Sequence, residues 1–148
     1  MKTEAKRLNA VIRDIRHCSN ILYDRANDLH KDLPINASMR SVLESLSHGE
    51  EKTVPSIARE KSVSRQHIQT IVNVLLEDNL VRSADNPNDK RTFLISMTEH
   101  GKDRYSEVQN REFTELQQLC ELFTTEELRL TSKTLQKLSK TLNEKTKN

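Results

Sequence analysis

Apolar residues recur along most of this chain at helical spacing, and one short stretch breaks the rhythm. Leu8, Ile15, Leu22 and Leu29 repeat every seven residues, with Val11, Ile12, Cys18 and Ala26 between them. That predicts one long amphipathic helix from about Glu4 to His30. Lys31-Asp32-Leu33-Pro34 ends it, and Asn36 caps a second helix with Met39, Val42, Leu43 and Leu46 inward and Gly49 closing it. Thr53 caps a third helix, with Pro55 in the first turn, where its missing N–H costs little. Ser62-Val63-Ser64 breaks that helix and restarts it, with Val63 as the expected buried residue of the turn and Ser64 as the next cap. From about Arg65 to Asp78 a fourth helix aligns Ile68, Ile71, Val72, Leu75 and Leu76 in one stripe. Asn79 ends it, because Asn tolerates left-handed backbone.

Beyond that point the period shortens. Leu80 to Ala84 is short and partly alternating, and Thr92 to Met97 sets Phe93, Ile95 and Met97 on one face of a strand. Between them, Asp85-Asn86-Pro87-Asn88-Asp89-Lys90-Arg91 is rich in turn formers and ends in two cations. Thr98 then caps a helix carrying Tyr105, Val108, Leu116, Leu119, Cys120 and Phe123, with a polar middle from Gln109 to Glu115. Thr124 with Glu127 makes a capping box and Phe123 with Leu128 a hydrophobic staple for a last helix. There Leu128, Leu135 and Leu142 repeat by heptads around Leu138. The order helix, turn, helix, hairpin, helix predicts a mainly α winged helix-turn-helix with a small β-hairpin wing. One chain has few surfaces to bury both terminal stripes, so N- and C-terminal dimerisation helices are expected; the rival reading is an intramolecular three-helix packing. Residues 1–34 are expected to form the N-terminal dimerisation helix, 35–100 the winged-helix lobe and 101–148 the C-terminal dimerisation helices.

The candidate chemistry lies on the outer face of the fourth helix and on the hairpin. Ser64 and Arg65 open that helix, and Gln66, Gln69, Thr70 and Asn73 share its polar side. Arg pairs bidentately with guanine, and Gln or Asn with adenine. An ordinary solvated face would carry the same residues, so the helix alone leaves both readings open. The hairpin behind it favours DNA. Lys90 and Arg91 suit a phosphate backbone or a narrow minor groove, and Asp89 is placed to pair with Arg91 and hold its direction.

These residues resemble the MarR family of winged-helix transcriptional regulators. Asn86-Pro87-Asn88-Asp89-Lys90-Arg91 followed by Ile95-Ser96-Met97-Thr98-Glu99-His100-Gly101 is similar to the family's Asp-Pro-x-Asp-x-Arg, short strand, Leu-Thr-x-x-Gly. Leu75-Leu76-Glu77-Asp78-Asn79-Leu80-Val81 is similar to its Leu-x-x-x-Gly-Leu-Val. The specific motif is confined to residues 53–101. Asn86 stands for the usual Asp, Ser62 and Asn79 for usual glycines, and Met97 for Leu. The resemblance implies a homodimer on double-stranded DNA with a pseudo-palindromic operator, its two recognition helices roughly 34 Å apart. It also implies a repressor released by a small-molecule effector or by oxidation, with Cys18 on the first helix as the redox candidate. The rival reading of Cys18 is a small core hydrophobe. The rival reading of the whole is a winged-helix protein-docking module without specific DNA binding.

Composition narrows this further. Of 148 residues, 31% are charged and 3% aromatic, which suits helices with wet faces. A net charge of +2 excludes a general polyanion binder. DNA affinity must come from local placement of Lys52, Arg59, Lys61, Arg65, Arg82, Lys90 and Arg91. No apolar run is membrane length and no signal-peptide core opens the chain, so a cytoplasmic protein is expected. Two cysteines make no disulfide framework, and His17, His30, His48, His67 and His100 make no metal pattern. Two glycines leave no room for a phosphate loop and no nucleophile motif appears, so neither an enzyme, a cofactor nor a metal is expected.

Overall fold

The computed structural model describes residues 2–146. Six α-helices and one hairpin follow in the order α1 (Lys2–Leu29), α2 (Ala37–Ser45), α3 (Val54–Lys61), α4 (Arg65–Glu77), β1 (Val81–Asp85), β2 (Phe93–Met97), α5 (Glu99–Leu119) and α6 (Thr125–Thr146). A 3-10 turn, Cys120–Leu122, follows α5. Two compact units divide between Arg111 and Glu112, within α5.

The first unit owns the core. Val42 and Leu43 from α2, Leu46 just after it, Ile57 from α3, Val72 and Leu75 from α4 and Leu80 at the hairpin entrance are almost wholly excluded from solvent. Tyr105 and Val108 of α5 join them, so the first turns of that helix serve the winged lobe. The helix starts are set by local chemistry. Asn36 Oδ1 accepts from Met39 N, Thr53 Oγ1 from Ser56 N and Ser64 Oγ from His67 N, each filling a donor the helix cannot satisfy internally. Two residues hold left-handed backbone where a glycine is the easier choice: Ser62 (φ 55°) closes α3 and Asn79 (φ 56°) follows α4.

The strands pair antiparallel from Val81 opposite Met97 to Asp85 opposite Phe93. Lys52 adds a rung on the other side of β2: its N–H donates to the Ile95 carbonyl at 3.0 Å and its carbonyl accepts from Ile95 N–H at 2.7 Å. This bridge ties the entrance of α3 to the wing. At the foot of the hairpin, Thr98 Oγ1 donates to the Asn79 carbonyl at 2.6 Å and accepts from Gly101 N–H at 2.9 Å. Gly101 is required there, because any Cβ would collide with the Leu80 carbonyl.

Three expectations need correction. Val63 is 42% exposed, not buried: the turn is closed by its backbone, Val63 N–H donating to the Ala58 carbonyl at 3.1 Å. Phe93 is also exposed, although Ile95 and Met97 on the same strand face are buried, because Phe93 lies at the end of β2 beyond the core. Cys120 and Phe123 lie beyond the end of α5, in and just after the 3-10 turn.

The second unit is different in kind. Among its described residues none is buried. Phe113, Leu116, Leu122, Phe123, Leu128, Leu130 and Leu142 are all exposed. The capping box at its last helix is formed as expected, Glu127 N–H donating to Thr124 Oγ1 and Thr124 N–H to Glu127 Oε2. Its α6 is therefore well started and unburied. The first unit carries a similar face on α1, which has no buried residue and exposes Leu8, Val11, Ile21 and Leu22.

Candidate nucleic-acid interface

A concave groove of about 1080 Å³ opens between the start of α3, the outer side of α4 and the wing. Its lining mixes apolar residues, Val72, Leu76 and Ile95 among them, with polar and charged ones. Arg65, Gln66 and Gln69 enter from α4, with Pro55 and Arg59 from α3, Thr53 from its cap, and Asn86, Asp89, Arg91 and Phe93 from the wing. The groove thus joins the two sets of residues that the sequence singled out separately. Ser64, Thr70, Asn73 and Lys90 are exposed nearby but do not line it. Cys18 is exposed on α1, on a separate element.

The outer face of α4 follows from its inner one. With Ile68, Ile71, Val72 and Leu75 turned to the core, 100° steps place Gln66, Thr70 and Asn73 opposite, with Gln69 beside them. Three side chains there are already engaged. Gln69 Nε2 donates to Asn73 Oδ1 at 2.8 Å, and Thr70 Oγ1 donates back to the Gln66 carbonyl at 3.0 Å. Ser64 serves as the helix cap.

The wing is stitched from within. Asn86 Oδ1 accepts from Asn88 N–H at 3.0 Å while Asn86 Nδ2 donates to Thr92 Oγ1 at 2.9 Å, so one amide clamps both arms of the loop. Asp89 Oδ1 accepts from the Arg91 backbone N–H at 3.0 Å and from Arg91 Nε at 3.3 Å. The Arg91 side chain is 91% exposed and aimed by that contact. The pairing of Asp89 with Arg91 is therefore as the sequence suggested. The Asn86 clamp escaped sequence reasoning, although an Asn ahead of Pro in a turn was its signal.

The electrostatics are narrower than the basic residues suggested. Lys52 Nζ donates to Glu60 at 2.8 Å and lies 3.2 Å from Glu50. The Glu60 hydrogen bond raises the Lys52 pKa, and the same bond lowers that of Glu60. Lys61 pairs with Glu44 at 3.0 Å, and Arg82 Nε donates to Ser96 Oγ at 3.1 Å. The groove itself is lined by Arg59, Arg65 and Arg91 against one carboxylate, Asp89. That local excess of positive charge can hold a polyanion strand, and the amides beside it can hydrogen-bond base edges. Among the described residues no group of His, Cys, Asp and Glu could hold a metal ion, and no helix is long and apolar enough to cross a membrane.

Residues 39–92 match the sequence model of the MarR family. No curated protein sequence matches the chain. The fold is similar to that of a MarR family transcription regulator with a TM-score of 0.81 at 20% identity, covering 100% of this chain and 98% of that one. A cysteine-to-serine mutant of MarR from E. coli, solved with operator DNA, is similar with a TM-score of 0.73 at 25% identity, over 86% of this chain and 92% of its own. MepR of S. aureus, solved with DNA, is similar with a TM-score of 0.76 at 18% identity, over 86% and 94%.

Proposed function

We propose, for a chain that is MarR-like in sequence over residues 39–92 and in fold throughout, a function as a homodimeric, sequence-specific DNA-binding regulator of transcription. The observation that carries this reading is the groove between α4 and the wing, where Arg65, Gln66, Gln69 and Arg91 line one concavity. Gln66, Gln69 and Asn73 read base edges from the major groove, and Arg65 meets a base or a phosphate. Lys90 and Arg91 hold the wing to backbone or minor groove. Two proteins of similar fold were solved with DNA, a mutant of E. coli MarR with operator DNA and S. aureus MepR, which supports DNA as the partner.

The dimer reading rests on a separate observation. The exposed apolar residues of α1 and of the second unit need a cover, and a second copy of the chain supplies one. In this reading α1 and the C-terminal helices are the dimerisation arms and the lobe between them meets DNA. Two-fold symmetry calls for a pseudo-palindromic site. A dimer seated on such a site represses by covering it.

The test is fluorescence anisotropy of the purified protein on the duplex upstream of its own gene and on a scrambled duplex, across a salt series. Site-preferring binding that weakens steeply with salt is expected. Equal, weak binding to both duplexes, followed by failure of a genome-fragment selection to enrich any site, would overturn it. A protein-docking winged helix would then be the better account.

A further inference from the structure

The amides on the outer face of α4 are coupled. Gln69 Nε2 donates to Asn73 Oδ1 at 2.8 Å, a contact that i,i+4 spacing on one helix face permits. Both residues are exposed. A primary amide carries one acceptor oxygen and two N–H donors. The bond engages one Gln69 N–H and one lone pair of the Asn73 oxygen. Gln69 Oε1 then remains as an acceptor, with Asn73 Nδ2 and the second Gln69 N–H as donors.

The free acceptor is what separates the purines, since it meets a donor on adenine and another acceptor on guanine. In the major groove adenine offers an acceptor at N7 and a donor at N6, guanine offers two acceptors, and cytosine offers a donor alone. One donor and one acceptor held together complement adenine. We propose that Gln69 and Asn73 act as a single composite reader of one adenine per half-site, Asn73 donating to N7 and Gln69 accepting from N6. The inference rests on the DNA-regulator reading above and adds to it the base that this pair selects. The link also removes rotamer freedom before DNA arrives, so less ordering remains for the moment of binding.

A composite reader fails as a unit, which two independent readers do not. The experiment starts with selection of preferred duplexes from a random pool by the wild-type protein. Affinities of wild type, Gln69→Ala, Asn73→Ala and the double variant are then measured on the selected site and on its single-base changes. The expected consensus holds an adenine at which each single variant loses discrimination by roughly 5- to 150-fold, with the double variant no worse than either single. Replacing that adenine with its 7-deaza analogue weakens wild type and leaves Asn73→Ala unchanged. Losses that multiply in the double variant, or singles that relax two different base pairs, would overturn the composite reader and leave the regulator reading standing. A wild-type protein that enriches no duplex would remove both. Thermal melting shows that the variants are folded; both positions are exposed on a helix and accept Ala.

Discussion

Arg91 is expected to do little for stability and much for binding. Its ion pair with Asp89 is exposed on the arginine side, and such pairs contribute at most about 1 kcal/mol. Arg91→Ala is therefore expected to leave the unfolding free energy within about 0.5 kcal/mol. On DNA it should weaken binding across sequences and reduce the salt slope by about one. Chemical denaturation and a salt-series titration check the two halves; an unchanged slope would remove Arg91 from the phosphate contacts. Gly101 behaves in the opposite way. An alanine would gain about 1 kcal/mol of helix propensity, yet its Cβ would strike the Leu80 carbonyl, which is backbone and cannot step aside. Gly101→Ala is expected to destabilise by about 1–3 kcal/mol in urea unfolding, and a stabilised variant would show that the corner yields. Ser62 stands in left-handed backbone, so Ser62→Gly should raise stability by up to about 1 kcal/mol, read as a higher urea midpoint with the same slope. The Ser62 and Asn79 positions were legible in the sequence because they stand where the resembled family has glycine. The reason for Gly101 was not, since it lies in a carbonyl twenty-one residues earlier.

At the scale of elements, what was legible is what is local. Caps at Asn36, Thr53, Ser64 and Thr124 act within three residues, so the helix starts could be read directly. The Lys52–Ile95 bridge could not, because two backbone groups meeting across the fold leave no trace in side-chain pattern. The exposures of Val63 and Phe93 were illegible for a related reason: burial depends on which element lies opposite, and a local pattern does not record that. The groove was half legible, its two walls visible in the sequence and their convergence visible only in the fold. One tie between distant elements carries a pH signature. Arg111 of α5 holds Asp32, in the corner after α1, with Nη2 to Oδ2 at 2.8 Å, and also donates to the Leu29 carbonyl at 3.2 Å. Its hydrogen bonds lower the Asp32 pKa from 3.8 to about 2. A depressed carboxylate stabilises the fold above its ordinary pKa, and that contribution is lost as pH falls from there through the folded value. Melting temperature measured from about pH 5 down to pH 2 should therefore fall less steeply for Asp32→Asn than for wild type. Parallel curves would mean that the Arg111 contact contributes nothing.

At the scale of the whole molecule, two units with opposite habits share one chain. The winged lobe buries its own core, and the unit from Glu112 onward buries none of its described residues. The heptad leucines of the last helix were legible as a stripe; that their own unit leaves them uncovered was not, since an intramolecular packing would show the same spacing. Light scattering should report twice the 17.1 kDa chain mass for wild type at micromolar concentration. Leu135→Glu, a change at a position already 38% exposed in the single chain, should shift it toward monomer and weaken operator binding while the lobe stays folded. A wild-type monomer, or a charged variant that still dimerises, would send the stripe elsewhere. An arm ordered only by company has its order governed by mass action. Each tenfold dilution removes about 1.4 kcal/mol from such an assembly, so dilution would act on this protein as heating acts on a self-sufficient domain. Scarcity would then be a route off the operator that needs no inducer at all.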